Sequence, residues 1–298
     1  MDRPAIIVIS SHVVRGTVGT RAAAFALEVI GFPVWTVPTI TLPWHPGHAA
    51  VAGLGERIVA PDAKFSTMLD QLATSPWIDE VGGVLSGYLG SASQAASVAR
   101  LVKRVKAVNP EAVFALDPVI GDHGRLYVPE EQAEAIRNEI LPLADIAAPN
   151  PFELQWLAGT DEDPTNEALC AIARSLGPET VIVTSAEGMM RNHIGNLMLS
   201  EGKALLAEHP RFENVPNGLG DLTAALMLAY RLNGQEPEDM LRLATATVYE
   251  VMRAATLAGA QELTLERNLD SLLRPSAQIK TRTLFSTVRK SSPRPQAV

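Results

Sequence analysis

At 298 residues, with 47% hydrophobic and 19% charged content, the chain is long enough for one large α/β domain or two smaller ones around a sizeable core. A formal charge of −8 argues against a nucleic-acid surface as its main business, and the single cysteine excludes both an intrachain disulfide and a cysteine-cluster metal site. The first residues lack a charged region leading into a long apolar core, and "PAIIVIS" is too short to span a membrane; the expectation is a cytoplasmic protein without nucleic-acid or membrane partners.

In chain order, apolar runs of strand length fall at 5–10, 34–40, 81–86, 112–117, 144–149 and 180–185. Several are continuous rather than alternating, as strands covered on both faces are. Helical patterns lie between them, including "TRAAAFALEVI", "SQAASVARLVKRVKAV" and "EEQAEAIRNEILPL". This alternation predicts a three-layer α/β/α sandwich with a mostly parallel central sheet. Residues 189–209 read as two or three short strands that add antiparallel pairing to one edge. Helices are expected at 221–233, 236–258 and 263–273, and Cys170, in the helical "EALCAIARSL", reads as a buried structural thiol. No repeat or linker interrupts this pattern, so 1–279 is expected to form one domain. The remaining 280–298, with five basic residues, no acid and two late prolines, reads as a solvated, partly mobile basic tail.

Open α/β sheets bind ligands beyond the carboxyl ends of their strands. The residues following each predicted strand there include Ser10, Ser11 and His12, then Ser86, Gly87 and Tyr88, then Asp117 and Asp122. Asn150 and Glu153 follow, and then Thr184 and Ser185. Hydroxyls, amides and acids thus gather along one sheet edge, as an enzyme cleft requires. Single residues have plainer uses: Asn150, Pro151 and Glu153 also fit an N-cap, a first-turn proline and a capping-box acid.

The stretch "NGLGD", 217–221, opens a helical run. Helix N-termini leave N–H groups unpaired and carry partial positive charge, and glycine lets them approach an anion closely. Asp221 cannot itself bind phosphate, but it could accept a proton from a hydroxyl attacking phosphorus. It would equally complement the helix dipole, worth about 0.3–1 kcal/mol, and spacing does not separate the two. There is no G-x-x-x-x-G-K-[ST], "GLGERI" lacks the third glycine of a dinucleotide fingerprint, and His45 and His48 in "HPGH" have no further ligand cluster to make a metal site.

The segments "SSHVVRGTVGTRAAAFALEVIGFPVWTVPT", "VLSGYLGSASQ", "FALDPVIGD", "LYVPEE", "LPLADIAAPNPFE", "TVIVTS" and "NGLGD" occur in this order, and over nearly its whole length the chain resembles the pyridoxal kinases of the ribokinase-like superfamily. The resemblance implies ATP-dependent phosphorylation of the 5′-hydroxymethyl group of pyridoxal and related B6 vitamers, an alcohol-accepting phosphotransfer of vitamin B6 salvage. It makes Asp221 the base and the N–H groups of Gly218, Leu219 and Gly220 the phosphoryl cradle. Ser11, His45 and Tyr88 would meet the substrate. Asp117, Ala148, Asn150, Glu153, Thr184 and Ser185 would meet the nucleotide, with Tyr127 near that region. Asp117, Asp122 and Glu153 would arrange Mg²⁺. A homodimer and a response to K⁺ are also implied.

Departures from the family pattern concentrate at "LPWHP", Leu42–Pro46, where relatives commonly carry phenylalanine, serine, asparagine, histidine and threonine. Pro46 removes a hydroxyl and Trp44 adds bulk, while Leu219 replaces a frequent threonine whose backbone alone matters in a cradle. The segment after Asp122 is also shorter than in some relatives. Two alternatives follow: a same-fold kinase for another hydroxymethyl heterocycle such as hydroxymethylpyrimidine, or a catalytically weak B6-vitamer-binding protein. Retention of Asp117, Glu153 and Asp221 argues against the second, because a pure binder needs no base or metal acids.

Overall fold

The structure, a computed structural model, describes residues 3–286. Its strands are β1 (Ala5–Arg15), β2 (Val34–Trp44), β3 (Ile58–Val59), β4 (Val81–Ser86), β5 (Val113–Leu116), β6 (Gly121–Asp122), β7 (Arg125–Leu126), β8 (Ile146–Ala147), β9 (Thr180–Glu187), β10 (His193–Ser200), β11 (Lys203–Pro210) and β12 (Lys280–Ser286). The helices are α1 (Thr20–Ile30), α2 (Ala49–Ala52), α3 (Asp62–Ala73), α4 (Ser93–Val108), α5 (Glu130–Ala135), α6 (Pro151–Ala158), α7 (Asn166–Ser175), α8 (Leu219–Leu232), α9 (Pro237–Leu257) and α10 (Leu269–Leu273). Ten strands form one sheet in the order β12-β11-β10-β9-β8-β5-β4-β1-β2-β3, and β6 and β7 make a separate small hairpin. Pairing is parallel from β2 through β1, β4, β5 and β8 to β9, and antiparallel at both edges. The expected three-layer sandwich with antiparallel edge strands is what forms.

The strand β1 shows why its apolar run is continuous. Ile6 and Val8 enter the core shared with α1, α8 and α9, while Ile7 and Ile9 enter the opposite core, with α3 and α4. All four are 0% exposed, each contributing about 1.5–3 kcal/mol of transfer free energy. A third cluster, including Leu154, Leu169 and Cys170, packs α6 and α7 against β9, β10 and β11. Burial pushes the Cys170 thiol up to about 11, so it stays protonated and structural.

Two expectations change. Residues 280–286 do not belong to a tail: β12 pairs antiparallel with β11, Leu284 packs on the third cluster, and the Arg282 Nε donates to Glu208 Oε1 at 3.0 Å. "KTRTLFS" carries β-branched and aromatic residues at alternate positions, and its cations suit an exposed sheet edge. The rest of the expected tail lies outside the described residues. The helix anticipated at 263–273 divides into a short 3₁₀ turn, Leu265–Arg267, and α10.

Candidate active site

The helix α8 begins at Leu219, directly after Gly218, which has φ 95°. A Cβ at Gly218 would lie 2.2 Å from the Thr17 carbonyl oxygen, so both its φ and the space left to it require glycine. Leu219 turns its side chain into the core. The cradle therefore offers backbone there and nothing else. Its first N–H groups have no carbonyl behind them in the helix.

Asp221, on the first turn, meets the ends of three other elements. The Gly19 N–H donates to its carboxylate, and a Cβ built on Gly87 would sit 3.9 Å from Asp221 Oδ1 and 2.5 Å from Ser10 Oγ. Burial raises its pKa to about 6, against the partial relief of the Gly19 bond. Asp117, at the end of β5, is 8% exposed, and its Oδ2 lies 3.6 Å from the position of a Gly220 Cβ. Burial first, then the charges of Glu153 and Asp221, push its pKa well up. A helix N-terminus, a base of intermediate pKa and a crowded pair of acids thus share one small space.

Glu153 serves a second purpose. Its Oε1 accepts from Ile120 N at 2.8 Å and Gly121 N at 3.4 Å, while Oε2 accepts from Asn150 N at 3.0 Å. Asn150 completes the capping box through Glu153 N and donates from Nδ2 to the Gly121 carbonyl at 2.8 Å. The plainer reading of Asn150–Pro151–Glu153 is therefore present, and the same bonds fix the 120–122 loop that carries Asp122. Burial, only partly relieved by those backbone bonds, raises Glu153 to about 7. Asp122 is exposed and accepts from His123 N. Tyr127 is half exposed, its phenol raised by desolvation and then by Glu153, Asp117, Asp122 and Asp221.

Among the described residues no three His, Cys, Asp or Glu side chains converge as a ready-made metal cage. Mg²⁺ usually takes one or two carboxylates, with waters and substrate phosphates filling its octahedron. Asp117, crowded by Glu153 and Asp221 and short of positive partners, is a donor set of that kind.

The residues expected to meet the nucleotide lie along the next strands. Ala148 is buried, and its N–H goes to Leu116, so only its carbonyl and methyl remain to offer. Thr184 and Ser185 stand opposite the single residue Asn196 in an interruption of the β9–β10 register, with Ser185 at φ 58°. Such a bulge re-aims side chains at strand ends.

Of the residues expected at the substrate, Ser11 packs against Gly19, with its Oγ 2.5 Å from the position of a Cβ there. The Tyr88 N–H donates to Ser10 Oγ at 3.2 Å, and its carbonyl accepts from Thr39 Oγ1 at 2.7 Å. Trp44 is held by its indole N–H on the Gly53 carbonyl, 3.0 Å. His45 Nδ1 accepts from Gly47 N; burial lowers its pKa, against the charge of Glu262, so the ring is neutral at neutral pH. Sequence reasoning placed Ser10 and Gly87 at strand ends without giving them a role, and it missed Gly19 beside Asp221, whose signal was a glycine directly before a helical run.

The profile of the phosphomethylpyrimidine kinase family matches residues 68–266, which places the chain in that class. It is 35% identical to the pyridoxal kinase PdxY of Rubrobacter xylanophilus, over 93% of this chain and 96% of that protein. It is 34% identical to the PdxY of Leifsonia xyli subsp. xyli, over 92% and 97%. The chain belongs to the pyridoxal kinase family. Among solved structures, Leishmania donovani pyridoxal kinase in complex with ADP and pyridoxamine superposes with a TM-score of 0.84 at 27% identity, covering 94% of this chain and 99% of that one. A putative phosphomethylpyrimidine kinase from Bacteroides thetaiotaomicron has the same fold, at a TM-score of 0.84.

Proposed function

We propose that the protein transfers the γ-phosphoryl group of ATP to the 5′-hydroxymethyl group of pyridoxal and related B6 vitamers. The observation that carries this is Asp221, with its pKa of about 6, on the first turn of a helix whose bare N-terminus faces Asp117. At neutral pH the Asp221 carboxylate is ionised and takes the proton from the substrate hydroxyl. The freed oxygen forms its bond to phosphorus as the bond to the bridging oxygen breaks, and ADP leaves with that electron pair. Charge spread over the equatorial oxygens is met by the N–H groups of Gly218, Leu219 and Gly220.

Asp117 would hold Mg²⁺, with Glu153 and Asp122 reaching it through water, and the ion would neutralise phosphate charge. Asn150 and Glu153 would act mainly through the 120–122 loop that they brace. Ala148, Thr184 and Ser185 would line the nucleotide, and Ser11, His45 and Tyr88 the vitamer.

Trp44, Pro46 and the class of the matching family profile favour a second reading, with hydroxymethylpyrimidine as the acceptor. The test offers the purified protein MgATP with pyridoxal, pyridoxine, pyridoxamine and hydroxymethylpyrimidine, and identifies phosphorylated products by mass. Monophosphates of B6 vitamers are expected. Product from the pyrimidine alone would transfer the assignment to it, and no product from any of the four would overturn the kinase.

A further inference from the structure

Behind the cradle lies a buried histidine–glutamate contact that none of the roles above uses. Nε2 of His48 contacts Glu262 Oε1, and their side chains are only 8% and 12% exposed. Glu262 Oε2 accepts from the Thr17 N–H at 3.2 Å. The carboxylate also lies over Gly16, where a Cβ would come within 2.7 Å of it. On its other side Glu262 forms a parallel bridge to Asn217, the residue before Gly218, and Leu263 packs over Gly218 itself. Asn217 Nδ2 in turn lies 3.3 Å from where a Cβ on Gly47 would be.

One residue thereby joins three segments far apart in sequence, two through its carboxylate and one through its backbone. They are the β1–α1 loop at 16–17, the substrate-side loop through His48, and the approach to the cradle at Asn217. A buried carboxylate is tolerated only when it is paired and hydrogen-bonded, so its contacts to His48 and Thr17 stand or fall together. His48 follows the departed "LPWHP" segment by two residues, with a single 3₁₀ turn between His45 and Ala49. A shift of His48 is therefore passed to His45 and Pro46 through that turn.

We propose that Glu262 and His48 are positioning residues, a buried clasp that fixes the substrate-side loop against the phosphoryl cradle and so governs vitamer binding without touching the vitamer. The proposal rests on the kinase reading for its kinetic consequence but not for its structural one.

Two measurements on the full chain test it. Amide hydrogen exchange, which needs no turnover, should accelerate at least tenfold at Gly16, Thr17, His45, Gly47 and His48 in Glu262→Ala and His48→Ala, with β1, β4 and α4 unchanged. Steady-state kinetics should show the KM for pyridoxal rising about tenfold or more in both variants, with the KM for ATP within about twofold. Glu262→Gln keeps an oxygen for Thr17 and should restore most of the loss. Unchanged exchange in these loops overturns the clasp whether or not the wild type phosphorylates pyridoxal. Equal rises in both KM values, or no rescue by Glu262→Gln, overturn the substrate-side role. Failure of the wild type to turn over any vitamer, with the loops still loosened, overturns the kinase reading instead.

Discussion

The cradle at Gly218–Asp221 and the substrate-side segment Leu42–His48 meet through Asn217 and Gly47, yet they are built on opposite terms. On the cradle side almost everything is backbone: a glycine with positive φ pressed against Thr17, a helix start, and one carboxylate approached by Gly19 and Gly87. The other side is made of side chains, with Trp44 tied to Gly53, His45 folded onto Gly47, and Pro46 opening a 3₁₀ turn. Backbone geometry tolerates little change, whereas side chains exchange freely. On the proposed roles, the reaction type would reside in the first region and acceptor choice in the second.

Asp221→Asn attacks the first region most directly. Turnover should fall by about 10²–10⁴-fold, the usual share of a general base, with nucleotide affinity nearly kept in equilibrium titration. Near-normal turnover would mean that another group accepts the proton. The same variant should be the more stable protein in alkaline buffer. Because the folded pKa of Asp221 is raised, this group favours folding below its unfolded value, and that contribution is lost as pH rises through about 6. Removing the buried charge should raise Tm at pH 8 by about 2–4 °C for each kcal/mol relieved, and by little at pH 4, by scanning calorimetry.

Gly218→Ala comes next. Positive φ and a contact at 2.2 Å predict a loss of about 1–3 kcal/mol, seen in denaturant unfolding, with turnover reduced further than stability explains. The pH profile should show a smaller effect: kcat/KM for pyridoxal falls about tenfold per unit below pH 6 and levels off above it, since Asp221 must be ionised. Addition of Mg²⁺ should raise Tm more at pH 8 than at pH 5, because protons and the metal compete for Asp117 and its neighbours. Least of all, Pro46→Thr should lower the KM for pyridoxal a few-fold and leave kcat nearly unchanged, which would place the difference in uniform binding.

Much of this frame was legible in sequence because it depends on periodicity and punctuation. The alternation of apolar runs with helical stretches requires a covered parallel sheet, and "NGLGD" before a helix requires bare N–H groups at its start. What escaped was long-range. In "KTRTLFS" the alternation of Thr281, Thr283 and Phe285 is a short strand signal among the cations of a basic terminus, and only pairing with β11 and Glu208 decides for an edge strand. Glu262 is as plain in sequence as any surface acid, and only the return of the chain beside Asn217 brings it to His48 and Thr17. Asn150 and Glu153 show the limit from another side, because a capping box and a brace for the Asp122 loop are the same set of bonds.

The most direct measurement is a competition: pyridoxal and hydroxymethylpyrimidine at equal concentration with MgATP, following both phosphorylated products from wild-type protein. The account predicts a kcat/KM ratio of about 10² or more in favour of pyridoxal, the discrimination a hydrogen-bonding pocket readily reaches. Equal rates, or a preference for the pyrimidine, would contradict it.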